Sequence, residues 1–230
     1  MRALLISNSG RPFLGHCRGA IAVFLGEARR LAFVTAASLG DEAEYFLLAR
    51  AALEPEPTGL TLEHLRWDHE PLATLARAEA VFVGGGNTYA LLQRLRQSGL
   101  LDAIRERVRA GMPYVGSSAG SNVAGPNVLT TNDWNVVGLT AFDALGLVAF
   151  NVNPHYRETD PAMAQGSETR DMRIAEYLVV RDNPVVGIEE GTLIRVEDGA
   201  STILGSGRGK LFVRGRREPR WFAAGDRLPV

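Results

Sequence analysis

The chain has 230 residues, of which 46% are hydrophobic, enough for the buried core of a single α/β domain over residues 1–230. Its net charge of −1 gives no electrostatic reason to expect binding to nucleic acid or to an anionic membrane, so neither is expected as a partner. Cys17 is the only cysteine, which excludes an internal disulfide and is typical of a reducing compartment. The first apolar run is too short for a secretory signal or membrane span, so we expect a cytoplasmic protein.

The first two thirds of the chain alternate short apolar runs with helical patterns. The predicted strands are 4–7, 31–35, 59–65, 80–83 and 113–115. The first two predicted helices are 17–30 and 41–53. Asn87 or Thr88 is expected to cap a third helix, and Leu100, Ile104 and Val108 indicate a fourth. Continuous apolar strands separated by helices predict an α/β fold whose mostly parallel sheet is flanked by helices on both faces.

The pattern changes after about residue 180. The predicted strands become short and are separated by glycines: 185–188, 192–196, 202–204, 210–213 and 220–222. This spacing is typical of antiparallel strands and hairpins. Because the segment is too short to bury a core of its own, we predict a C-terminal antiparallel extension of the same sheet.

The strongest motif is Gly116-Ser117-Ser118-Ala119-Gly120, directly after a predicted strand. A strand that ends in Gly-x-Ser-x-Gly and continues as a helix is the pattern of a nucleophile elbow, which exposes the serine hydroxyl above the sheet edge. The glycines leave room for backbone angles that a Cβ atom would oppose. We therefore predict Ser118 as a nucleophile; the alternative is a Gly/Ser-rich turn without chemistry.

A serine nucleophile needs a base, and the chain has four histidines. His155 follows an apolar run that stops at a proline, so we predict that a rigid loop presents it near Ser118. His64 and His69 lie in a charged stretch and are expected on the solvated surface. His16 lies in a glycine-rich loop after the first strand.

Two acidic residues are candidates for orienting the base. Asp133 lies fifteen positions after Ser118, and Glu190 follows the predicted strand 185–188. The chain order Ser, Asp, His occurs in α/β-hydrolases, but triads recur in several orders. Either acid also fits a simple turn, so the residues alone leave the choice open.

Three successive glycines, 84–86, follow the predicted strand 80–83 and precede a helix cap. No side chains obstruct the backbone N–H groups of these glycines. We predict that one of these N–H groups and the N–H of Ala119 together form an oxyanion hole. The alternative is a phosphate cradle, but the chain has neither a Gly-x-Gly-x-x-Gly nor a Gly-Lys-Ser/Thr signature there.

Arg170 lies where a loop meets a predicted helix, shortly after His155. A guanidinium at that place can hold a carboxylate with two hydrogen bonds, unless it pairs on the surface with Asp171 or Glu168. The polar stretch 159–168 is a candidate lid over the substrate.

Several of these runs together resemble peptidase E, the aspartyl dipeptidase family of serine peptidases. The matching runs are 5–9, 83–88, 116–122, 130–133, 153–155 and 168–170. They span most of the chain in the family's order. The resemblance implies a fold like that of class I glutamine amidotransferases, hydrolysis of dipeptides with an N-terminal aspartate, no metal or other cofactor, and a homodimer.

Carried onto this chain, the resemblance makes Ser118 the nucleophile and His155 the base. Asp133 and Glu190 both fall on acidic positions of the family pattern, with Asp133 preferred and Glu190 as its rival. No residue is implied to bind a metal.

The same resemblance implies an oxyanion hole formed by Gly86 and Ala119. It makes Arg170 the anchor for the aspartyl side chain of the substrate and places Asn87 among the substrate-binding residues. The chain departs from the family at Ser117, where a bulkier residue such as tryptophan is expected. The small side chain there predicts either a wider pocket or a different support for the elbow.

Two other functions are compatible with the pattern. Cyanophycinases resemble peptidase E and cleave aspartyl-arginine polymers, although they are generally longer than this chain. The third hypothesis is a non-catalytic ligand-binding module on an amidotransferase-like fold, which would not need Ser118, His155, Asp133 and Arg170 together.

Overall fold

The computed structural model describes residues 1–159 and 166–230 as two β-sheets with helices packed against them. The strands are β1 (Ala3–Ile6), β2 (Arg30–Val34), β3 (Thr61–Leu65), β4 (Ala80–Val83), β5 (Tyr114–Ser117), β6 (Asn151–Asn153), β7 (Val185–Ile188), β8 (Thr192–Glu197), β9 (Ala200–Gly205), β10 (Gly209–Phe212), β11 (Arg220–Phe222) and β12 (Arg227–Leu228). The helices are α1 (Arg18–Leu25), α2 (Glu42–Leu53), α3 (Pro71–Arg77), α4 (Thr88–Gln97), α5 (Leu100–Arg109), α6 (Ala119–Val123) and α7 (Arg170–Val180).

The larger sheet has eight strands in the order β12-β9-β8-β1-β5-β4-β2-β3. The five strands from β1 to β3 in this order are parallel, and β8, β9 and β12 continue the sheet in antiparallel pairing. This arrangement confirms the predicted mostly parallel α/β fold with antiparallel strands at the C-terminal end of the chain.

The smaller sheet corrects one part of the prediction. It has four strands in the order β11-β10-β7-β6, so β7, β10 and β11 do not extend the main sheet as expected. The N–H and C=O groups of β7 pair with β6 on one side and β10 on the other. The turn 189–191 then carries the chain from β7 to β8, which pairs with β1 in the larger sheet.

The core lies on both faces of the larger sheet because successive side chains of a strand point to opposite faces. In β1, Leu4 and Ile6 pack with α1 and α2, whereas Ala3 and Leu5 pack with α4 and α5. The buried cluster that contains Ala3 and Leu5 also contains Val186 from the smaller sheet. The two sheets therefore share buried apolar contacts.

The parallel strands determine where polar residues gather. The carboxyl ends of β1, β4 and β5 lie side by side in the sheet. Residues 7–9, 84–86 and 118 follow these three strands directly. Sites in open α/β sheets form beyond such carboxyl ends, and this edge is where the predicted residues meet.

Candidate active site

The turn at Ser118 has the geometry of a nucleophile elbow. Ser118 precedes α6 with φ 53° and ψ −109°, and its N–H donates to the carbonyl oxygen of Ile6 at 2.9 Å. A Cβ atom at Gly116 would lie 2.5 Å from the Gly120 oxygen, and one at Gly120 would lie 2.0 Å from the Val83 oxygen. Both flanking positions therefore require glycine for the turn to close.

His155 lies within hydrogen-bond distance of the serine. Its Nε2 is 2.9 Å from Ser118 Oγ, as the sequence led us to expect. The His155 N–H donates to the Ser7 hydroxyl at 2.9 Å, and that hydroxyl donates to the Ile188 oxygen at 2.9 Å. The end of β1 and the end of β7 thus hold the backbone of His155 in place.

Glu190 faces the other nitrogen of the imidazole. Its Oε1 lies 3.3 Å from His155 Nδ1, and the two side chains are 50% and 40% exposed. The next residue, Gly191, donates its N–H to Asn8 Oδ1 at 2.8 Å, which ties the turn between β7 and β8 to the end of β1. Ser118, His155 and Glu190 therefore form a continuous chain of polar contacts.

Asp133, the acid that the sequence favoured, is engaged elsewhere. Its Oδ2 accepts from the Thr88 N–H at 2.7 Å and from the Thr131 hydroxyl at 3.1 Å. Within residues 1–159 and 166–230, the carboxylate that contacts His155 Nδ1 is that of Glu190. The preference for Asp133 over Glu190 as the residue orienting the histidine therefore has no support in the hydrogen-bond geometry.

The glycine loop after β4 leaves two N–H groups beside the serine. The Gly85 N–H donates to the Tyr45 hydroxyl at 2.8 Å, whereas in the described part of the chain the amides of Gly86 and Ala119 have no acceptor. A Cβ atom at Gly86, where φ is 137°, would lie 2.3 Å from the Ala37 oxygen. These two amides can receive a developing oxyanion.

A cavity of about 220 Å³ opens beside Ser118. The residues that line it are Ser118, Asn122, Thr131, Asn132, Asp133, Pro154, His155 and Arg170. The predicted nucleophile, base and carboxylate anchor therefore line one cavity. Asp133 also lines it, although it does not touch the histidine.

Arg170 begins α7, and the hydroxyl of Thr169 caps this helix by accepting the Met172 N–H at 3.2 Å. The guanidinium donates to Asn153 Oδ1 at 3.3 Å, and burial together with the charges of Arg157 and Arg173 lowers its pKa. A guanidinium that neighbouring cations destabilise favours an anionic ligand.

The surface pairing considered for Arg170 is absent among the described residues, because its two candidate partners are engaged elsewhere. Asp171 lies 2.8 Å from Lys210, and Glu168 lies 3.4 Å from Arg173.

Asn87 is engaged as a helix cap. Its Oδ1 accepts from the Ala90 N–H at 3.0 Å, and its Nδ2 donates to the Trp134 oxygen at 2.9 Å. Each polar atom of the side chain thus makes one hydrogen bond within the protein, and Asn87 lines a groove other than the cavity at Ser118. The predicted capping of α4 is confirmed, whereas a contact between Asn87 and substrate has no support here.

Ser117 lies inside the protein. It is fully buried, and its hydroxyl is 3.1 Å from that of Ser9. It does not line the cavity at Ser118, so the expected widening of the pocket is not visible there. The candidate lid 159–168 falls largely on residues 160–165, which lie outside the described residues.

His64 differs from its expected place on the solvated surface. Its ring stacks on Phe46, and its Nε2 lies 2.9 Å from Thr35 Oγ1.

In residues 1–159 and 166–230, no group of three or more His, Cys, Asp or Glu side chains is arranged to hold a metal ion. Over the same ranges, no helix combines the length and hydropathy needed to cross a bilayer.

Three residues that support the site were not assigned a role from the sequence. Ser7 and Asn8 hold His155 and the Glu190 turn, and Tyr45 holds the glycine loop. The polar run 7–9 directly after β1 was a usable signal, since side chains at that place reach the carboxyl edge of the sheet. Tyr45 gave no such signal because it lies within the apolar pattern of α2.

Comparison with known proteins agrees with this geometry. The model of peptidase family S51 matches residues 3–204. The chain is 42% identical to peptidase E of Streptomyces coelicolor, over 99% of this chain and 93% of the relative. It is also 42% identical to a Drosophila melanogaster protein described as "Probable alpha-aspartyl dipeptidase", over 91% of this chain and 88% of the relative.

A solved structure supports the fold. The crystal structure of a peptidase from an acI-B1 actinobacterium superposes with a TM-score of 0.72 at 17% identity, covering 99% of this chain and 96% of the other. At this identity the likeness concerns the fold alone. The family match and the relatives together establish that the chain belongs to peptidase family S51 and is a serine-type peptidase.

Proposed function

We propose that this peptidase hydrolyses dipeptides with an N-terminal aspartate, using Ser118 as nucleophile and His155 as base. The observation that carries the proposal is the 2.9 Å contact between Ser118 Oγ and His155 Nε2, at the wall of a cavity that Arg170 also lines. The name of the Drosophila relative supports an aspartyl substrate.

In this reaction Arg170 binds the side-chain carboxylate of the substrate aspartate. His155 Nε2 takes the proton of the Ser118 hydroxyl as Oγ attacks the scissile carbonyl carbon. Glu190, at 3.3 Å from Nδ1, accepts the N–H on that side, so the tautomer with a free Nε2 lone pair is favoured. We assign the orienting role to Glu190 for this reason.

The tetrahedral intermediate carries its negative charge on the former carbonyl oxygen. The amides of Gly86 and Ala119 donate to that oxygen. His155 then returns its proton to the leaving amine as the C–N bond breaks. Water, deprotonated by His155, hydrolyses the acyl-serine and releases aspartate.

The direct test is hydrolysis of an Asp p-nitroanilide beside the matching Glu, Asn and Leu anilides, by wild type and Ser118→Ala. We expect cleavage of the Asp anilide alone, and a loss of about 10⁴-fold or more in kcat for Ser118→Ala because the serine and histidine act as a unit. Unchanged activity in the variant would contradict the role of Ser118, and equal cleavage of the four anilides would contradict the specificity.

A homodimer and a cytoplasmic location belong to this proposal as well. The single buried cysteine supports a reducing compartment. Sedimentation equilibrium of the purified chain measures its mass in solution, and a mass of one chain would refute the dimer.

A further inference from the structure

Two guanidinium groups lie near the Ser118–His155 pair. Arg170 lines the cavity beside Ser118. Arg157 follows His155 by two positions, and its Nη2 lies 3.9 Å from Glu190 Oε1, on the Nδ1 side of the imidazole. Burial lowers the pKa of Arg170, and the charge of Arg157 lowers it further. Two cations that act on each other in this way favour a ligand with more than one anionic group.

Arg157 forms part of the wall of a surface depression of about 490 Å³. The residues that line it are Tyr156, Arg157, Glu158, Glu189, Glu190 and Arg208. This depression shares no lining residue with the cavity at Ser118, but His155 lines the cavity and contacts Glu190 of the depression. The imidazole therefore connects the cavity with the depression.

The charges of the depression are unequally compensated. Each of its three carboxylates contacts another basic group: Lys210 for Glu158, Arg208 for Glu189 and His155 for Glu190. Arg208 is further fixed because its guanidinium stacks on Trp221 at 3.9 Å.

Arg157 is held less tightly than Arg208. Its distance of 3.9 Å from Glu190 is longer than a hydrogen bond, and its side chain is 76% exposed. Within residues 1–159 and 166–230, it is therefore the arginine of the depression that can turn toward a ligand without breaking a hydrogen bond to a carboxylate.

The chemistry of cleavage places the leaving residue on the side of the histidine. In the proposed reaction His155 Nε2 gives its proton to the leaving nitrogen, so this nitrogen comes within hydrogen-bond distance of the imidazole. In a dipeptide, the carboxyl carbon of the leaving residue is two bonds, about 2.5 Å, from the same nitrogen. The free carboxylate therefore lies close to the imidazole, next to the depression that contains Arg157.

We propose that Arg157 binds the C-terminal carboxylate of the leaving residue, while Arg170 binds the aspartyl side chain. The inference rests on the proposed function and deepens it, because it assigns a residue to the other end of the substrate. A dipeptide with a free C-terminus carries one carboxylate for each of the two arginines. A dipeptide with an amidated C-terminus lacks the second contact.

The test compares two substrates that differ only in the C-terminal group: L-aspartyl-L-alanine and L-aspartyl-L-alanine amide. For wild type we expect kcat/KM to be about 10-fold higher for the free dipeptide, the effect of a charge-assisted hydrogen bond made by an exposed guanidinium. For Arg157→Gln we expect this ratio to fall close to 1, whereas Arg157→Lys, which keeps the charge, retains part of the preference. Chromatography of the released aspartate measures both rates. Because one protein sample serves both substrates, incomplete folding of a variant cancels in the ratio.

Arg173→Gln is the matched control. Arg173 is also exposed, and burial and the charge of Arg173 both lower the pKa of Arg170, but Arg173 does not line the depression. We expect its ratio of dipeptide to amide to equal that of wild type. Any loss that Arg157→Gln causes through Glu190 affects both substrates by the same factor. An equal decrease for the two substrates in Arg157→Gln therefore overturns the inference.

A binding measurement gives the same comparison without catalysis. Calorimetric titration of aspartyl-alanine and of its amide into Ser118→Ala and into Ser118→Ala/Arg157→Gln measures the contribution of the carboxylate directly. We expect the second variant to weaken the free dipeptide about 10-fold relative to the amide, and an unchanged ratio overturns the inference.

The Asp p-nitroanilide separates this inference from the proposed function, because its leaving group carries no carboxylate. A wild-type protein that cleaves the anilide, and cleaves the dipeptide and its amide with equal kcat/KM, overturns the inference and leaves the proposed function intact. A wild-type protein that cleaves neither the anilide nor aspartyl-alanine overturns the proposed function.

Discussion

Among the described residues, five non-glycine positions have a positive φ, and Ser118 and His155 are two of them. A side chain in this backbone region costs about 1–3 kcal/mol unless surrounding contacts impose the conformation. At Ser118 the contacts are the N–H bond to Ile6 and the close packing of the flanking glycines. At His155 the contact is the hydroxyl of Ser7. Two of the five strained positions are thus the proposed nucleophile and the proposed base.

Glu190→Gln tests the orienting carboxylate. We expect kcat to fall by about 10- to 10³-fold, less than for a buried triad acid, because half of the Glu190 side chain is exposed and water partly replaces it. Steady-state hydrolysis of the Asp anilide measures the effect. KM changes little, since Glu190 does not line the cavity.

Glu189→Gln is the matched control, because Glu189 is adjacent in sequence but pairs with Arg208 at 2.9 Å. Its kcat stays within about 3-fold of wild type. A larger loss in Glu189→Gln than in Glu190→Gln would refute the assignment of Glu190.

At the scale of the element, helix α2 positions the glycine loop of β4. Tyr45 extends from α2, and its hydroxyl accepts the Gly85 N–H at 2.8 Å. A Cβ atom at Gly84 would lie 2.6 Å from this hydroxyl, so glycine is needed for the approach. Burial raises the pKa of Tyr45 to about 12, which keeps the phenol protonated at neutral pH. The helix thereby fixes the peptide that precedes the Gly86 amide.

Tyr45→Phe removes this hydroxyl and leaves the Gly85 N–H without its partner. We expect kcat for the Asp anilide to fall about 10-fold, with a smaller change in KM, because the oxyanion loop is loosened while Arg170 is untouched. Tyr89→Phe is the control, since in residues 1–159 and 166–230 the Tyr89 hydroxyl makes no hydrogen bond. An equal loss of kcat in both variants would argue against a positioning role for Tyr45.

The sequence pattern predicted the helices and strands correctly where the apolar residues recur with a strong period. The strand 185–188 matches β7, and the helix 41–53 matches α2 with Asp41 as its cap. Helix α3 was missed, because it follows a charged stretch and is only seven residues long. A short helix buries few side chains, so its apolar stripe is too brief to recognise.

At the scale of the whole molecule, the single lysine ties the smaller sheet to the site. Lys210 in β10 is 4% exposed, and its Nζ lies 2.7 Å from Glu158 and 2.8 Å from Asp171. Asp171 adjoins Arg170, and Glu158 follows His155 by three positions. The ammonium therefore links the two segments that carry the proposed base, His155, and the proposed carboxylate anchor, Arg170.

Lys210→Met leaves both carboxylates without their cation. We expect the free energy of unfolding to fall by about 2 kcal/mol, less than the roughly 3–5 kcal/mol of a fully buried pair, because both carboxylates remain in contact with water. Urea titration at neutral pH measures the change. Arg217→Met, on an exposed turn, is the control and shifts the midpoint little.

The same pair of proteins tests a pH dependence. Burial acts to lower the pKa of Lys210, but hydrogen bonds to Asp171 and Glu158 outweigh it and raise the pKa. A raised folded-state pKa gives stability that is fully present below the ordinary lysine pKa and is lost as pH rises through the folded value. The stability difference between wild type and Lys210→Met is therefore larger at about pH 8 than above about pH 11. An equal difference at both pH values would contradict this coupling.

The sequence by itself determined the fold class, and it predicted the elbow at Ser118 and His155 as the base. These follow from local rules, since a strand, a glycine-flanked serine and a helix are contiguous in the chain. The sequence also gave two candidates, Asp133 and Glu190, for the acidic residue that orients the histidine.

Only the tertiary structure separated those two acids. Glu190 comes from a turn between two sheets, and its approach to His155 depends on which strands β7 and β8 pair with. Asp133 instead accepts a hydrogen bond from the Thr88 N–H at the start of α4, and no local sequence pattern predicts this contact. Contacts between distant segments are decided by sheet pairing and shared burial, and the spacing of residues along the chain carries little information about either.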